Sequence, residues 1–414
     1  MPEPQMLSAL PEGTPVLDID ALIDDPGVRV IVCCGSGGVG KTTTAASLGI
    51  RAAERGRKVC VMTIDPARRL AQSMGLTELD NTPRAVNDVD TSNGGSLDAM
   101  MLDMKRTFDE IVEAQSDPER AQQILDNPFY QALSSSFAGT QEYMAMEKLG
   151  QLRAAAEATD TWNLIIVDTP PSRSALDFLD APKRLGSFLD GRLMKLLSAP
   201  ARGAGRFGAK VMSAGMSMVT GTLTKLIGAQ VLKDLQTFVA SFDALFGGFR
   251  QRAEATYAQL QAPDTRFLVV AAPERDALRE ASYFVERLAG ENMPLAGLIL
   301  NRVQEVPLPQ LTAETAVAAA DRLDEANEHP LTAGMLRLHA DRVQNGQRQR
   351  RLAQRFSAAH PHVPAAAAPA LAGDVHDLDG LREVAAALAT QACRHIAFIG
   401  NLGITTEFGG GEAY

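Results

Sequence analysis

The stretch "VIVCCGSGGVGKTTTAASLG", Val30 to Gly49, decides the fold class of this protein. An apolar run typical of a buried strand ends in glycines, and a segment with helical spacing follows at once. The connecting residues, Gly35 to Thr42, fit the phosphate-binding pattern GxxxxGK(S/T). Another apolar run, "KVCVMTID" at 58–65, comes soon after the helix. Strand, helix and strand in so short a span predict a parallel β-α-β unit.

Strand-like segments recur far apart along the rest of the chain. They lie at Trp162–Pro170, Thr265–Glu274, Leu295–Val303 and, with a weaker pattern, at about 362–371. A short helix is predicted around Ile19–Ile23, and two long segments, about 98–160 and 180–262, carry helical patterns. We therefore predict an α/β fold: a doubly wound, mostly parallel sheet of the P-loop NTPase type with an inserted α-helical subdomain.

These patterns divide the chain into a nucleotide-binding core and the segments inserted into it. In chain order, the predicted segments are an N-terminal tail (1–27), the core with the phosphate loop (28–97), a helical insertion (98–160), a core strand with a switch segment (161–180), a helical subdomain rich in methionine and glycine (181–262), the C-terminal half of the core (263–393) and a C-terminal tail (394–414).

The composition restricts the partners and the compartment. Of 414 residues, 50 are Asp or Glu and 40 are Lys or Arg, so the net charge is -10 and the average surface repels nucleic acid. We therefore expect no nucleic-acid partner. No run of about 18 uncharged apolar residues is present, so no stable membrane span is predicted. The N-terminus lacks the basic start of a signal peptide, and the cysteines form no CxxC pair, so we expect a cytoplasmic protein.

The phosphate-binding loop also predicts which residues hold ATP and Mg²⁺. In such a loop the backbone N–H groups converge on the phosphates, with help from the positive end of the following helix. Lys41 is predicted to reach the outer phosphates, and the hydroxyl of Thr42 is predicted to ligate Mg²⁺. The residues predicted to contact the nucleotide are Gly37, Gly38, Val39, Gly40, Lys41, Thr42 and Thr43.

Two aspartates follow predicted strands and complete the predicted site. Asp168 ends the strand "LIIVD", where a carboxylate can hold Mg²⁺ through water. Asp65 ends the second strand, and ligands bind at this end of an open parallel sheet. We predict that Asp168 is a metal ligand, that Asp65 positions the attacking water and that Lys41 is the second catalytic residue. Each aspartate also has a plainer interpretation, Asp168 as a turn former and Asp65 as a helix cap.

Together these motifs resemble one family, the ArsA-type anion-transporting ATPases. The family includes the arsenite-pump ATPase and the ATPase that targets tail-anchored membrane proteins. The loop "GGVGKTT" (37–43) is nearly that of the family, "DPARRL" (65–70) resembles its switch I, and "VDTPPSRSALDFL" (167–179) resembles its switch II. The resemblance extends over about 28–390. It implies a dimer that closes around two ATP molecules and couples hydrolysis to rearrangement of a helical subdomain.

The resemblance also implies roles for three residues outside the loop. Asn301, in "LILNRV", stands where the family contacts adenine, and Pro369 matches a proline that flanks the adenine. Glu274 follows a strand in the segment where the family has an acid that faces the dimer interface. The implied nucleotide site is therefore assembled from both ends of the core.

Residues 186–250 match the position and character of the groove that binds a transmembrane helix in the targeting branch. This segment is rich in methionine, whose flexible thioether adapts to varied apolar partners. The resemblance implies a hydrophobic or membrane-protein client here, although the same residues also suit an ordinary core or a dimer interface. The arsenite branch captures its ion with cysteines in the helical insertion, and this insertion contains none, which argues against an arsenite pump.

The largest departure from the family is Ser36. The deviant Walker A loop of the family has lysine there, and that lysine reaches the nucleotide of the partner subunit. Three hypotheses follow: one of Arg68, Arg69 and Arg173 substitutes, a paralogous partner brings the lysine, or the chain hydrolyses ATP slowly.

The resemblance and this departure together predict a Mg²⁺-dependent ATPase that works as a homodimer or as a heterodimer with a paralogous ATPase. An ATP-gated subunit with little turnover is the alternative. A partitioning or positioning ATPase fits less well, because those chains are generally shorter and lack so large a helical insertion.

Overall fold

A computed structural model describes residues 10–11, 13–65, 69–76, 79–128, 130–131, 134, 140–170, 251–252 and 254–401. Among them, no helix is both long and apolar enough to cross a membrane. The predicted client segment, 186–250, lies outside the described residues, as do Arg68 and Arg173.

An eight-stranded sheet forms the centre of the described fold. Its strands are β1 (Val30–Cys34), β2 (Lys58–Thr63), β3 (Arg84–Ala85), β4 (Ser96–Met101), β5 (Leu164–Asp168), β6 (Thr265–Ala271), β7 (Leu295–Val303) and β8 (Ala365–Pro369). They lie in the order β3-β4-β2-β5-β1-β6-β7-β8, and every neighbouring pair is parallel except β3 with β4. The predicted α/β fold with a mostly parallel sheet is confirmed, and the six predicted strands are all present.

Helices cover both faces of the sheet, as a doubly wound fold requires. They are α1 (Ile19–Asp24), α2 (Lys41–Glu54), α3 (Arg69–Ser73), α4 (Met104–Gln115), α5 (Pro118–Leu125), α6 (Thr140–Thr159), α7 (Arg275–Gly290), α8 (Ala313–Glu325), α9 (Pro330–Ala359) and α10 (Leu378–Asn401). Val30 and Val32 belong to the same buried cluster as residues of α4, α6 and α7. Ile31 and Cys33 belong to the cluster that contains residues of α1, α2 and α10. Side chains that alternate along β1 therefore fill two separate cores.

The sheet is larger than the sequence pattern predicts. β4, "SLDAMM", overlaps the segment predicted to be helical from 98, because leucine, alanine and methionine are good helix formers and aspartate is rare in strands. Pairing with β2 and burial of Leu97 and Met100 outweigh these propensities. The indole N–H of Trp162 donates to Asp98 at 2.7 Å, which satisfies the acid within the strand. At the other end of the chain, α10 continues past the predicted boundary at 393.

The carboxyl ends of the parallel strands meet at one edge of the sheet. β1 lies between β5 and β6, with Cys33 beside Asp168, so the loop that leaves β1 passes the end of β5. β2 ends on the far side of β5, with Thr63 beside Asp168. In open parallel sheets ligands bind at this edge, and the predicted site residues follow these strands.

Candidate nucleotide-binding site

The phosphate loop connects β1 to α2 and depends on glycine at two close approaches. Gly35 and Gly40 have positive φ angles of 150° and 93°. A side chain at Gly35 would collide with the carbonyl oxygen of Val270, and one at Gly40 would collide with the amide of Asn301. Because Gly40 is also the N-cap of α2, no side-chain oxygen at that position competes for the N–H groups of the first turn. The start of α2 is therefore suited to bind an anion.

Lys41 begins α2, and its side chain turns back to contact the loop. Its side chain is buried, and Nζ donates a hydrogen bond of 2.8 Å to the backbone carbonyl of Ser36. Burial lowers the pKa of Lys41, and the negative charge of Asp168 opposes this shift. The lysine therefore brings a positive charge to the loop beside Ser36.

Asp168, at the end of β5, is the centre of a buried hydrogen-bond cluster. Its Oδ2 accepts a hydrogen bond from the hydroxyl of Thr42 at 2.7 Å and another from the hydroxyl of Thr63 at 2.8 Å. Its Oδ1 is buried and has no hydrogen-bond partner among the described residues. Burial raises the pKa of Asp168 to about 6, although the hydrogen bonds from Thr42 and Thr63 lower it. A buried carboxylate with one unpartnered oxygen suits a cation, or a water bound to a cation.

The oxygen atoms of this cluster are suitable ligands for Mg²⁺. Hydroxyl and carboxylate oxygens are hard ligands, and Mg²⁺ keeps several of its waters when it binds one or two of them. Thr42 lies in the first turn of α2, and Oδ1 of Asp168 can accept a hydrogen bond from a metal-bound water. The fold brings the two predicted metal ligands into contact. Their binding of the metal itself stays a prediction.

Thr63, the last residue of β2, is a member of the cluster that sequence reasoning missed. It is buried, and its hydroxyl accepts a hydrogen bond from the backbone N–H of Asp65 at 3.2 Å. A threonine at a strand end is a weak sequence signal, because threonine is common in strands. Asp65 is half-buried at the same edge, and its negative charge adds to the effect of burial in raising the pKa of Asp168. The residue predicted to position the water is therefore within electrostatic reach of the cluster.

The end of β7 contacts the loop from the other side. Asn301 is buried, and its Nδ2 donates a hydrogen bond to the carbonyl of Val39 at 2.9 Å. Nη1 of Arg302 donates to the carbonyl of Gly38, also at 2.9 Å. Arg302 was not predicted, because nothing in the sequence shows that its backbone adopts a φ of 61° and turns the side chain toward the loop.

Pro369 and Glu274 lie at the same edge of the sheet. Pro369 ends β8 and is in register with Val303 of β7, two residues beyond Asn301. Glu274 follows β6 as the N-cap of α7 and is exposed. The contacts of Asn301 and Pro369 with adenine, and of Glu274 with a partner subunit, stay predictions.

Ser36 directs its side chain inward. Its Oγ is buried and has no hydrogen-bond partner among the described residues, and its carbonyl is the acceptor for Lys41. The side chain of Arg69 lies outside the described part of the chain, like Arg68 and Arg173. Substitution of the family's lysine by one of these arginines therefore stays a hypothesis, beside a lysine from a paralogous partner and slow hydrolysis.

A model of a known protein family matches residues 28–312, and the family is described as anion-transporting ATPase. This chain belongs to that family. The match includes the phosphate loop, Asp168 and Asn301, and it covers more than half of the chain. The protein is accordingly an ATPase, and the assignment of its nucleotide site to the loop between β1 and α2 stays a prediction.

Several relatives of this ATPase are named ATPase GET3. The protein from Podospora anserina is 26% identical over 294 residues, which cover 69% of this chain and 76% of the relative. The protein from Ajellomyces dermatitidis is 27% identical over 292 residues, which cover 68% of this chain and 75% of the relative. The protein from Malassezia globosa is 31% identical over 165 residues, which cover 40% of this chain and only 45% of that relative. These similarities agree with the family assignment.

Proposed function

We propose that this ATPase is a cytosolic, Mg²⁺-dependent enzyme that works as a dimer and couples ATP binding and hydrolysis to the binding of a hydrophobic client segment. Two contacts support the hydrolytic part of the proposal. Nζ of Lys41 donates to the carbonyl of Ser36 in the phosphate loop, and the hydroxyl of Thr42 donates to Asp168. The three supply a cation for the phosphates, a hydroxyl for the metal and a buried carboxylate behind it, which are parts that phosphoryl transfer uses.

Each residue of the site has a separate role in the proposed reaction. The N–H groups of residues 37–43 bind the phosphates, and Lys41 exchanges its bond to the Ser36 carbonyl for bonds to the outer phosphates. Thr42 and Asp168 hold the metal, Asp168 through water. When bound, Mg²⁺ neutralises part of the phosphate charge. Asp65 orients the attacking water.

The state of Asp168 supports a metal-dependent mechanism. With a pKa of about 6, most of this carboxyl group is ionised at pH 7 although it is buried. A buried charge is costly unless an opposite charge or hydrogen bonds compensate it, and its Oδ1 has no such partner among the described residues. A divalent cation beside Thr42 supplies the missing compensation, so the cluster favours a metal-bound state.

The client part of the proposal rests on composition and on the relatives. Residues 186–250 are rich in methionine, and the resemblance to the family supports a groove for a transmembrane helix in this segment. Arsenite is a poorer candidate, because capture of this ion needs thiolates and the insertion has no cysteine. In β1 and β2, Cys33, Cys34 and Cys60 are buried, and burial raises the pKa of each thiol. These three thiols therefore stay protonated inside the sheet.

A second candidate function is an ATP-gated subunit with slow turnover, paired with a lysine-bearing paralogue. Ser36 favours it, because a buried hydroxyl cannot reach the nucleotide of a partner subunit as the lysine of the family does. In this arrangement the chain binds ATP to stabilise the complex, and the partner supplies the missing charge. The dimer is then a heterodimer.

Steady-state turnover tests the hydrolytic proposal. The purified protein is expected to hydrolyse ATP with Mg²⁺ and to stop when the metal is chelated. Lys41→Ala is expected to lower turnover at least about 100-fold, because it removes the cation that acts on the outer phosphates. Arg342→Ala, which removes an exposed arginine of α9, is the control and should leave turnover unchanged. Normal turnover in Lys41→Ala would refute the proposed site.

Ser36→Lys separates the two candidate functions. If the chain is a slow subunit that lacks a charge, the substitution should raise turnover by about tenfold or more, since a charge supplied across a subunit interface has large effects in other phosphate-loop enzymes. Ser36→Ala is the matched control and should leave turnover unchanged. Equal turnover in the wild type and in Ser36→Lys would favour a self-sufficient homodimer. Light scattering with and without ATP measures the dimer directly, and a monomer in both states would contradict either form of it.

Crosslinking to a defined peptide tests the client proposal. A synthetic peptide with about 20 consecutive apolar residues, the length of a membrane-spanning helix, is expected to crosslink to 186–250 in the presence of ATP. A peptide of the same length, in which serine replaces every second apolar residue, is the control. Equal crosslinking of both peptides, or of neither, would contradict a hydrophobic client site.

A further inference from the structure

Two successive residues at the end of β7 hold two successive carbonyls of the phosphate loop. Asn301 donates to the carbonyl of Val39 and Arg302 donates to the carbonyl of Gly38, each at 2.9 Å. In a regular strand, neighbouring side chains point to opposite faces, so only one of two such residues can face a given neighbour. Both residues reach the same loop only because the strand departs locally from regular geometry.

The departure occurs at Arg302. Its φ of 61° lies in the left-handed region, which is uncommon for a residue other than glycine. The side-chain oxygen of Asn301 accepts a hydrogen bond from the N–H of Arg302 at 3.0 Å, which holds this conformation. The pairing of β7 with β8 also shifts its register between Leu300 and Val303. Irregularities of this kind redirect side chains, and strained residues persist where the surrounding contacts hold them.

The two hydrogen bonds determine where two loop amides point. A peptide group is planar and trans, so its N–H points opposite to its C=O. Because Arg302 holds the carbonyl of Gly38, it orients the N–H of Val39. Because Asn301 holds the carbonyl of Val39, it orients the N–H of Gly40. Both N–H groups belong to the stretch whose amides are expected to bind phosphate.

We propose that Asn301 and Arg302 form a clamp that preorganises the N–H groups of Val39 and Gly40 for phosphate, and that Arg302 is a positioning residue of the nucleotide site. The clamp rests on the proposed function of that site. It assigns a role to Arg302 and a second role, besides the adenine contact, to Asn301. Donors that are oriented in advance need no reorganisation when the phosphates arrive.

The positive charge of Arg302 adds to this effect. A charged donor on the carbonyl of Gly38 polarises the peptide group and makes its N–H a stronger donor to an anion. The charge also lies beside a loop in which Ser36 replaces the lysine of the family. The clamp therefore supplies positive potential to the loop from the end of β7.

Inorganic tripolyphosphate tests the clamp, because it carries phosphates and no adenine. Calorimetry at constant ionic strength should show about tenfold weaker binding to Arg302→Ala, the effect of losing one charge-assisted hydrogen bond at an exposed position. Arg302→Lys keeps a charged donor and should stay within about threefold of the wild type. Arg302→Gln keeps an uncharged donor and should fall between these two variants. Arg342→Ala is the control for a change in net charge and should bind like the wild type.

Asn301→Ala distinguishes the clamp from an adenine contact. The clamp predicts weaker binding of tripolyphosphate, whereas an adenine contact alone weakens binding of adenosine and leaves tripolyphosphate unchanged. Adenosine should bind equally to Arg302→Ala and to the wild type, since Arg302 acts on the phosphate side. The unfolding temperature of ligand-free Arg302→Ala is measured in parallel and should stay unchanged, because Arg302 is exposed.

Three results would overturn the clamp. The first is wild-type affinity for tripolyphosphate in Arg302→Ala. The second is a loss of this affinity that appears only together with a lower unfolding temperature. The third is equal affinity in Arg302→Gln and Arg302→Ala, which would leave charge as the sole effect of Arg302. Wild-type protein that binds neither ATP nor tripolyphosphate would refute the clamp and the proposed function together. A different pattern would show that the clamp alone is wrong. In that pattern the wild type binds tripolyphosphate, Lys41→Ala does not bind it, and Arg302→Ala binds it as tightly as the wild type.

Discussion

The two sides of the phosphate loop are built differently. On the side of β2 and β5, Thr42, Thr63 and Asp168 form a buried cluster in which side chains bond to one another. On the side of β7, Asn301 and Arg302 contact the loop through its backbone carbonyls. The first arrangement controls charge, and the second controls the shape of the loop. Substitutions on the first side should therefore change turnover and its pH dependence, and those on the second should change affinity and base preference.

The largest effect is expected for Asp168→Asn. Turnover should fall on the order of 100-fold and lose its dependence on Mg²⁺, because the variant cannot compensate the charge of a metal. Measured turnover across a range of Mg²⁺ concentrations checks this expectation. Asp276→Asn, on the exposed side of α7, is the matched control. Preserved Mg²⁺ dependence in Asp168→Asn would show that other residues hold the metal. The proposed difference between the β5 side and the β7 side of the loop would then be wrong.

The stability of ligand-free Asp168→Asn should change in the opposite direction. Because burial raises the pKa of Asp168 from 3.8 to about 6, this carboxyl group favours folding most when it is protonated, below pH 3.8. That contribution is lost as the pH rises through about 6. At pH 8 the variant should be more stable than the wild type by up to roughly 3 kcal/mol, at about 1.36 kcal/mol per pKa unit. Denaturant unfolding at pH 4 and pH 8 measures the difference, which should be largest at pH 8.

Thr63→Val is expected to have an intermediate effect. Valine keeps the shape of threonine but removes the hydroxyl that donates to Asp168. Loss of a hydrogen bond to the ionised form raises the pKa further, so the acid limb of the turnover profile should move to higher pH by about half a unit to one unit. The pH profile of turnover for Thr63→Val and for Thr63→Ser, which keeps the hydroxyl, provides the measurement. An identical profile in all three proteins would show that Thr63 does not influence the reacting state.

The smallest effects are expected on the β7 and β8 side, and they concern the base. If Asn301 contacts adenine, Asn301→Ala should lower the preference for ATP over GTP about three- to tenfold, the value of one hydrogen bond to the base. Pro369→Ala should change it by no more than about threefold, because only a small apolar contact is lost. The ratio of the two dissociation constants is the measurement, since it cancels any effect of the clamp on phosphate binding. An unchanged ratio in both variants would show that neither Asn301 nor Pro369 contacts adenine.

Much of the fold could be predicted because its strands are buried on both faces. β1, β2, β5, β6 and β7 read as continuous apolar runs, and the glycine-rich loop identifies the one strand on which the site is built. β4 could not be predicted, because Met100 and Met101 stand beside Asp98 in a sequence that favours a helix. Pairing with β2 and the hydrogen bond from Trp162 override that preference. Both influences come from residues distant in sequence.

The residues of the candidate site also divide into those that the sequence predicts and those that it does not. Lys41, Thr42 and Asp168 are recognisable because their chemistry is tied to a motif or to the end of an apolar strand. Thr63 and Arg302 are ordinary residues in the sequence, and they matter because of the groups they contact. The hydroxyl of Thr63 becomes part of this cluster only because the register of β2 and β5 places it beside the buried carboxylate of Asp168.

The sequence by itself determined the phosphate loop, the parallel α/β fold and the family of this ATPase, because backbone geometry at the loop requires glycine and phosphate chemistry requires lysine and threonine. Only the tertiary structure decided which oxygen of Asp168 accepts the hydrogen bonds from Thr42 and Thr63 and which oxygen has no described partner. It also decided which residues of β7 bond to the loop. These depend on strand order, on register and on a left-handed residue at 302. Such features arise from contacts between segments far apart in the chain, and no local pattern records them.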